Sequence, residues 1–191
     1  MTAEPGFEHI ADSPVHAGRV WDVVVAEFRA PDGASFLRDV VRSGGAVAIV
    51  PLVFDPEGNA SVVLVEQYRG PYDQLVIEIP AGMRDVPGEP LDETARRELR
   101  EEVGLVAAEV VHLLDLYPSP GMTDQVTTVF LATGCQAVER AVQGPEEAYS
   151  TVLHLPLADA LEMIDDGRIR DAKTVAGLLS TDRTLRRADE R

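Results

Sequence analysis

The chain has 191 residues, enough for one domain with its own core or a domain plus a small extension. Apolar residues make up 45% and charged residues 26%, an ordinary globular balance, while a net charge of −16 argues against nucleic acid or an anionic membrane as a partner held by bulk electrostatics. One cysteine, Cys135, excludes an intramolecular disulfide and a cysteine-based metal cluster. No segment has the length and apolarity of a membrane span, and "MTAEPGFEHIADSP" has neither a basic start nor an apolar centre, so the expectation is a soluble, cytoplasmic protein. Lys173 is the only lysine among 17 basic residues, a skew that reads as codon bias.

From the N-terminus, "GRVWDVVVAEFRA" and "ASFLRDVVRSGG" flank the turn signal "PDG" and predict a β-hairpin over 18–42. "GAVAIVPLVF" and "ASVVLVEQYR", separated by "DPEGN", predict two strands buried on both faces. "QLVIEIPAG" is a short strand entering a loop. Residues 90–103 predict a helix with Pro90 in its first turn, Gly104 as its C-cap, and a buried stripe of Leu91, Ala95, Leu99 and Val103. "EVVHLLDLY", "QVTTVFLATG" and "TVLHLPL" are further strands, with the polar stretch "QAVERAVQGPEEAYS" before the last of them. "ADALEMIDDG" and "DAKTVAGLLS" predict two closing helices, and residues 183–191 a frayed tail. This order predicts an α+β fold with a mixed sheet between helices. The expected organisation is a β-rich extension over 1–43 and a main domain over 44–182.

Within "RRELREEVGL", Glu98, Glu101 and Glu102 stand at spacings that share one helix face. Like charges so placed cost a helix about 0.2–0.5 kcal/mol per pair. Either the face is freely solvated or something positive sits against it. Mg²⁺ prefers oxygen ligands and binds through a few carboxylates together with substrate phosphates, which suits such a face.

The segment "AGMRDVPGEPLDETARRELREEVGL", residues 81–105, resembles the Nudix box, G-x5-E-x7-R-E-U-x-E-E-x-G-U. Glu89, Arg97, Glu98, Leu99, Glu101, Glu102, Gly104 and Leu105 fall in place, while six residues instead of five separate Gly82 from Glu89. The resemblance implies a Nudix-type α/β/α sandwich preceded by an N-terminal hairpin used in a homodimer. It implies Mg²⁺ or Mn²⁺ held by Glu98 and Glu102, with Glu101 assisting and the Ala81 carbonyl as a backbone ligand. It further implies that Arg97 orients a box carboxylate and that Glu89 supports the junction of loop and helix.

"EQYRGPYDQLVIEIPAG" and "YPSPGMTDQ" are similar to ADP-ribose pyrophosphatases of that superfamily. The similarity implies a small nucleoside diphosphate substrate, ADP-ribose being favoured and split to AMP and ribose 5-phosphate. Arg69, Glu78, Arg84, Pro120, Gly121, Met122 and Asp124 are the expected substrate-binding residues. Glu147, with Glu146 beside it in "GPEEAYS", is the expected base that accepts the proton of the attacking water. Gln125 stands where this subfamily often carries Glu, which keeps a nucleotide sugar or a pathway-specific nucleotide open as substrate. A Nudix-fold sensor lacking catalysis is the contrasting class; the complete set of box carboxylates argues against it.

Overall fold

A computed structural model describes residues 6–141 and 148–190. The chain divides into two compact units, one formed by the residues up to Gly45 with Tyr117–Val126, the other by Ala46–Leu116 with the residues from Thr127 onward.

The first unit is built on an antiparallel meander of β1 (Glu8–Ala17), β2 (Asp22–Arg29) and β3 (Ser35–Arg42). The β2–β3 hairpin forms at the predicted turn, where the Gly33 N–H donates to the Ala30 carbonyl and the Ala34 N–H to the Asp32 carboxylate. Strand β2 alternates in burial and puts Val24 and Ala26 inside. The expected hairpin is incomplete, because β1 adds a third strand. Every residue of β1 is exposed, so it carries no apolar alternation to read, and it holds Pro14 on a sheet edge, where a missing N–H is tolerated.

The second unit has a seven-stranded mixed sheet. Strands run in the order β12 (Thr151–Pro156), β5 (Ala60–Arg69), β4 (Ala46–Phe54), β10 (Thr127–Thr133) and β9 (Glu109–Leu116). Two short strands join it off that path: β6 (Gln74–Glu78) on β5 and β7 (Ala81–Met83) on β4. Strands β4 and β10 are parallel, and the other pairings are antiparallel. A minor two-stranded ribbon pairs β8 (Leu105–Val106) with β11 (Gln136–Ala137).

The continuous apolar runs of β4 and β5 serve two cores at once, since successive side chains of a strand point to opposite faces. Val47, Ile49, Val63 and Val65 pack on one side with Ala95, Leu99 and Val103 of α1 (Leu91–Val103). Ala48, Val50, Leu52, Val62 and Leu64 pack on the other with Leu157, Ala160 and Met163 of α2 (Leu157–Asp165) and Leu178 of α3 (Ala172–Asp189). The result is the expected sandwich of helices about a mixed sheet. The buried stripe of α1 is the predicted one, Leu91 being half-buried at its start. Pro90 is the N-cap rather than a residue of the first turn, and Gly104 closes the helix at φ 64°.

The tail expected to fray over 183–191 instead continues α3 as far as Asp189, with Leu185 still packed on the core beneath it. No helix among the described residues is long and apolar enough to cross a membrane.

Replacing Leu178, fully buried where α3 meets the sheet, by Ala should lower unfolding free energy by about 2–5 kcal/mol in urea denaturation. Arg187→Ala, at the exposed end of the same helix, should stay within about 0.5 kcal/mol of the parent.

Candidate active site

Glu98, Glu101 and Glu102 are not on a solvated face: they are 6%, 8% and 6% exposed. Burying a carboxylate is costly unless a charge or hydrogen bonds compensate it. Much of the compensation comes from Arg97, whose planar fork spreads over four acidic residues. Its Nη1 donates to Glu98 Oε1 at 2.8 Å and Glu101 Oε2 at 3.1 Å. Nε and Nη2 donate to the two oxygens of Glu89 at 3.3 and 3.2 Å, and Nη2 also reaches Asp85 Oδ1 at 3.0 Å. Glu102 turns the other way, and its Oε2 accepts the Ala81 N–H at 3.2 Å.

The strand β7 fits beneath this helix face because Gly82 has no side chain. A Cβ there would lie 2.0 Å from Glu98 Cδ. Gly82 pairs with Val47 inside β7, so the residue in excess of the box spacing is accommodated in the loop between β7 and α1 and leaves the carboxylate face intact.

Burial pushes the Glu98 carboxyl up to about 7, with Arg97 pulling it down and Glu101 pushing it further up. Burial also works against the charge of Arg97, yet Glu89, Glu98 and Glu101 hold its guanidinium above its ordinary value. Asp85, Glu89, Glu98 and Glu101 thus share the one guanidinium of Arg97.

Among the described residues no three acidic, imidazole or thiol groups converge as a finished ligand set, because Arg97 and Ala81 divide the glutamates between them. In kind, however, the donors suit a hard divalent cation: several carboxylate oxygens on one rigid helix.

Arg69 and Glu78, both expected to bind substrate, bind each other. Nε donates to Oε1 at 2.6 Å and Nη2 to Oε2 at 2.8 Å. Glu78 is buried and Arg69 partly open, and Arg69 lies in the electrostatic field of Glu102. Arg84 is exposed in the loop after β7.

Pro120, Gly121, Met122 and Asp124 belong to the first unit, where β3 fixes their loop. The Val41 N–H donates to the Met122 carbonyl, the Thr123 hydroxyl to the Val41 carbonyl, and the Ser43 N–H to Asp124 Oδ1. Arg42 Nη1 meets Asp124 Oδ2 at 3.1 Å while the same guanidinium pairs with Asp12, whose carboxyl it holds down at about 2. Glu146 and Glu147 lie outside the described residues.

Sequence reasoning missed Asp85, Lys173, Asp171 and Thr174. Asp85 sits in a loop of no recognisable period. The "DAKT" of residues 171–174 did carry a signal, an N-cap Asp three residues ahead of the N–H it caps.

Comparison with known proteins agrees with this geometry. The NUDIX domain family model matches residues 44–178. A protein named ADP-ribose pyrophosphatase from Mycobacterium tuberculosis is 40% identical over 178 residues, covering 93% of this chain and 84% of that protein. One of the same name from Bacillus subtilis is 34% identical over 165 residues, covering 86% of each. A crystal structure described as an ADP compounds hydrolase superposes with a TM-score of 0.82 over 98% of both chains, at 22% identity, and so speaks for the fold. With the box residues gathered on one buried helix face and the family model spanning the whole main sheet, the chain belongs to the Nudix hydrolase family.

Proposed function

We propose that this enzyme hydrolyses the diphosphate bond of ADP-ribose, releasing AMP and ribose 5-phosphate, and that it depends on Mg²⁺ or Mn²⁺. The observation that carries the reading is the buried face on which Glu98, Glu101 and Glu102 gather beside Arg97. These three carboxylates and the Ala81 carbonyl would hold the metal. When bound, the metal supplies charge neutralisation on the diphosphate and a lowered pKa for water near it. The similarity to two proteins named ADP-ribose pyrophosphatase supports the choice of substrate.

The chain's own groups have separable tasks. Arg97 keeps Glu98 and Glu101 from repelling each other and fixes their rotamers. Gly82 leaves room for the Glu98 carboxylate. Arg69 offers the guanidinium edge that Glu78 does not occupy to the substrate's phosphates. Glu147, with Glu146 as its neighbour, is assigned as proton acceptor from its place in the sequence. Gln125 favours a second reading with the same chemistry and a nucleotide sugar as substrate, since an amide there forgoes the charge that a carboxylate would bring to a ribose hydroxyl.

Product analysis by mass spectrometry across ADP-ribose, NADH, UDP-glucose and GDP-mannose, with Mg²⁺ and with chelator, decides between the two. AMP and ribose 5-phosphate formed fastest, and only without chelator, support the first reading. Faster turnover of a nucleotide sugar supports the second. Glu102→Gln should cut turnover by orders of magnitude with unchanged thermal stability; a rate near the parent's would remove Glu102 from the metal site.

The raised pKa of Glu98 makes a pH prediction. Between the ordinary glutamate value of 4.5 and about 7 the folded, metal-free protein keeps a proton that the unfolded chain has released. The Glu98 contribution to stability is therefore full below the lower value and lost as pH rises through the higher one. The melting temperature of the metal-free protein, taken relative to Glu98→Gln, should fall between pH 5 and pH 8 and recover when Mg²⁺ is added. A difference that stays flat with pH contradicts the assignment.

A further inference from the structure

The only lysine of the chain is half of a second charge cluster, on the opposite side of residues 78–81 from α1. Lys173 stands in the first turn of α3, where its Nζ pairs with Glu78 Oε2 and lies 3.0 Å from Asp171 Oδ2. Thr174, the next residue, accepts the Ile79 N–H on its hydroxyl at 2.8 Å and donates that hydroxyl to Asp171 Oδ2 at 2.6 Å. Asp171 in turn caps α3 by accepting the Thr174 N–H at 3.0 Å. One helix turn thus grips two consecutive residues, Glu78 by its side chain and Ile79 by its backbone. Ala81, whose N–H holds Glu102, follows after Pro80.

The grip bears on Arg69. Glu78 is 3% exposed in its side chain and uses both oxygens on the Arg69 fork. A planar guanidinium paired in this way takes its orientation from the plane of the carboxylate. That plane has a second anchor in Lys173, itself only 17% exposed and hence held in place. Arg69 Nη1 makes no hydrogen bond among the described residues, and the side chain is 40% exposed, so its outer edge is the part left for a ligand.

We propose that Lys173 is a positioning residue for diphosphate binding: it fixes the Glu78 carboxylate, which fixes the guanidinium edge that Arg69 presents. The proposal rests on the reading of Arg69 as a phosphate-binding residue. It moves Lys173 from codon bias to a part of the binding apparatus, although Lys173 itself touches no substrate.

The test is a double-mutant cycle of Lys173→Met and Arg69→Ala, with Lys173→Arg as rescue and Lys173→Gln as a second neutral variant. Readouts are kcat and KM for ADP-ribose with Mg²⁺, calorimetric binding of methylenediphosphonate with Mg²⁺, and Mn²⁺ affinity by electron paramagnetic resonance. Methylenediphosphonate carries only the phosphate portion and requires no catalysis. Lys173→Met should raise KM and weaken diphosphonate binding about tenfold, roughly 1.4 kcal/mol. The value of kcat and the Mn²⁺ affinity should stay near the parent's, and Lys173→Arg should recover most of the loss. In the Arg69→Ala background the same substitution should change nothing further, because coupled residues depart from additivity.

An equal penalty with and without Arg69 overturns the proposal, as does a joint fall in kcat, Mn²⁺ affinity and binding. If both neutral variants fail to fold, Lys173 is a stability residue and the proposal is overturned as well. A parent that leaves ADP-ribose intact yet binds diphosphonate with the expected coupling refutes the substrate reading alone and supports the positioning role. A parent that hydrolyses ADP-ribose without the coupling refutes the positioning role alone. Neither catalysis nor diphosphonate binding refutes both.

Discussion

The guanidinium of Arg97 holds together four carboxylates that burial and mutual repulsion would otherwise separate. Asp85 and Glu89 come from the loop before α1, Glu98 and Glu101 from the helix itself, so one side chain ties loop to helix while allowing the glutamates to be buried. A lysine, with a compact charge and no planar fork, could not reach the same set of oxygens in fixed directions. The position on the helix sharpens the point. Glu101 and Glu102 stand in the last turn of α1, next to the negative end of its dipole, where further negative charge is disfavoured. A helix shaped for stability would place cations there. The negative end of the dipole and the gathered carboxylates instead add up to a surface suited to a cation.

That surface needs a floor that does not yield, and the two-sided sheet provides it. Because β4 and β5 are buried on both faces, α1 is pressed against one core while α2 and α3 fill the other. Leu99 and Ala95 anchor the helix on a stripe that adjoins its acidic face, so the carboxylates are held in place by the same packing. Strand β7 then approaches closely enough for the Ala81 N–H to reach Glu102, an approach possible at Glu98 only because Gly82 lacks a Cβ. From the opposite face, α3 secures the preceding residues through Thr174 and Lys173. The segment 78–81 is therefore held between helices from both layers.

The parts legible in the sequence are those set by periodicity and by a dense motif. The stripe of Ala95, Leu99 and Val103, the unbroken apolar runs of β4 and β5, and the glycine cap of α1 each follow from local rules, and the structure contains all of them. Strand β1 was illegible because it buries nothing and so leaves no pattern. The last turns of α3 looked like a polar tail; Leu185, packed on the core, is the single apolar residue that holds them. Burial of the three glutamates could not be read from spacing, since a helix face tells which residues lie together but not what covers them. Nor could the partners of Glu78, because Lys173 is 95 residues away in sequence and only the sheet brings the two together.

The distribution of positive charge links these observations. In a chain of net charge −16, two of the basic side chains at the candidate site are engaged with carboxylates, Arg97 with four of them and Arg69 with Glu78. The outer edge of Arg69 is left for an anionic ligand. Under the proposed function a bare diphosphate would meet these carboxylates, and Coulomb repulsion at an effective dielectric constant of about 20 amounts to several kcal/mol for unit charges about 4 Å apart. Under the proposed function a divalent cation would change the sign of that balance for both parties at once, and the carboxylates that repel the bare diphosphate would become the reason it binds as a metal complex. Under the same proposal the acidity of α1 would serve as a selectivity device, admitting phosphate only in company with metal and leaving to Arg69 the geometric task of orienting it.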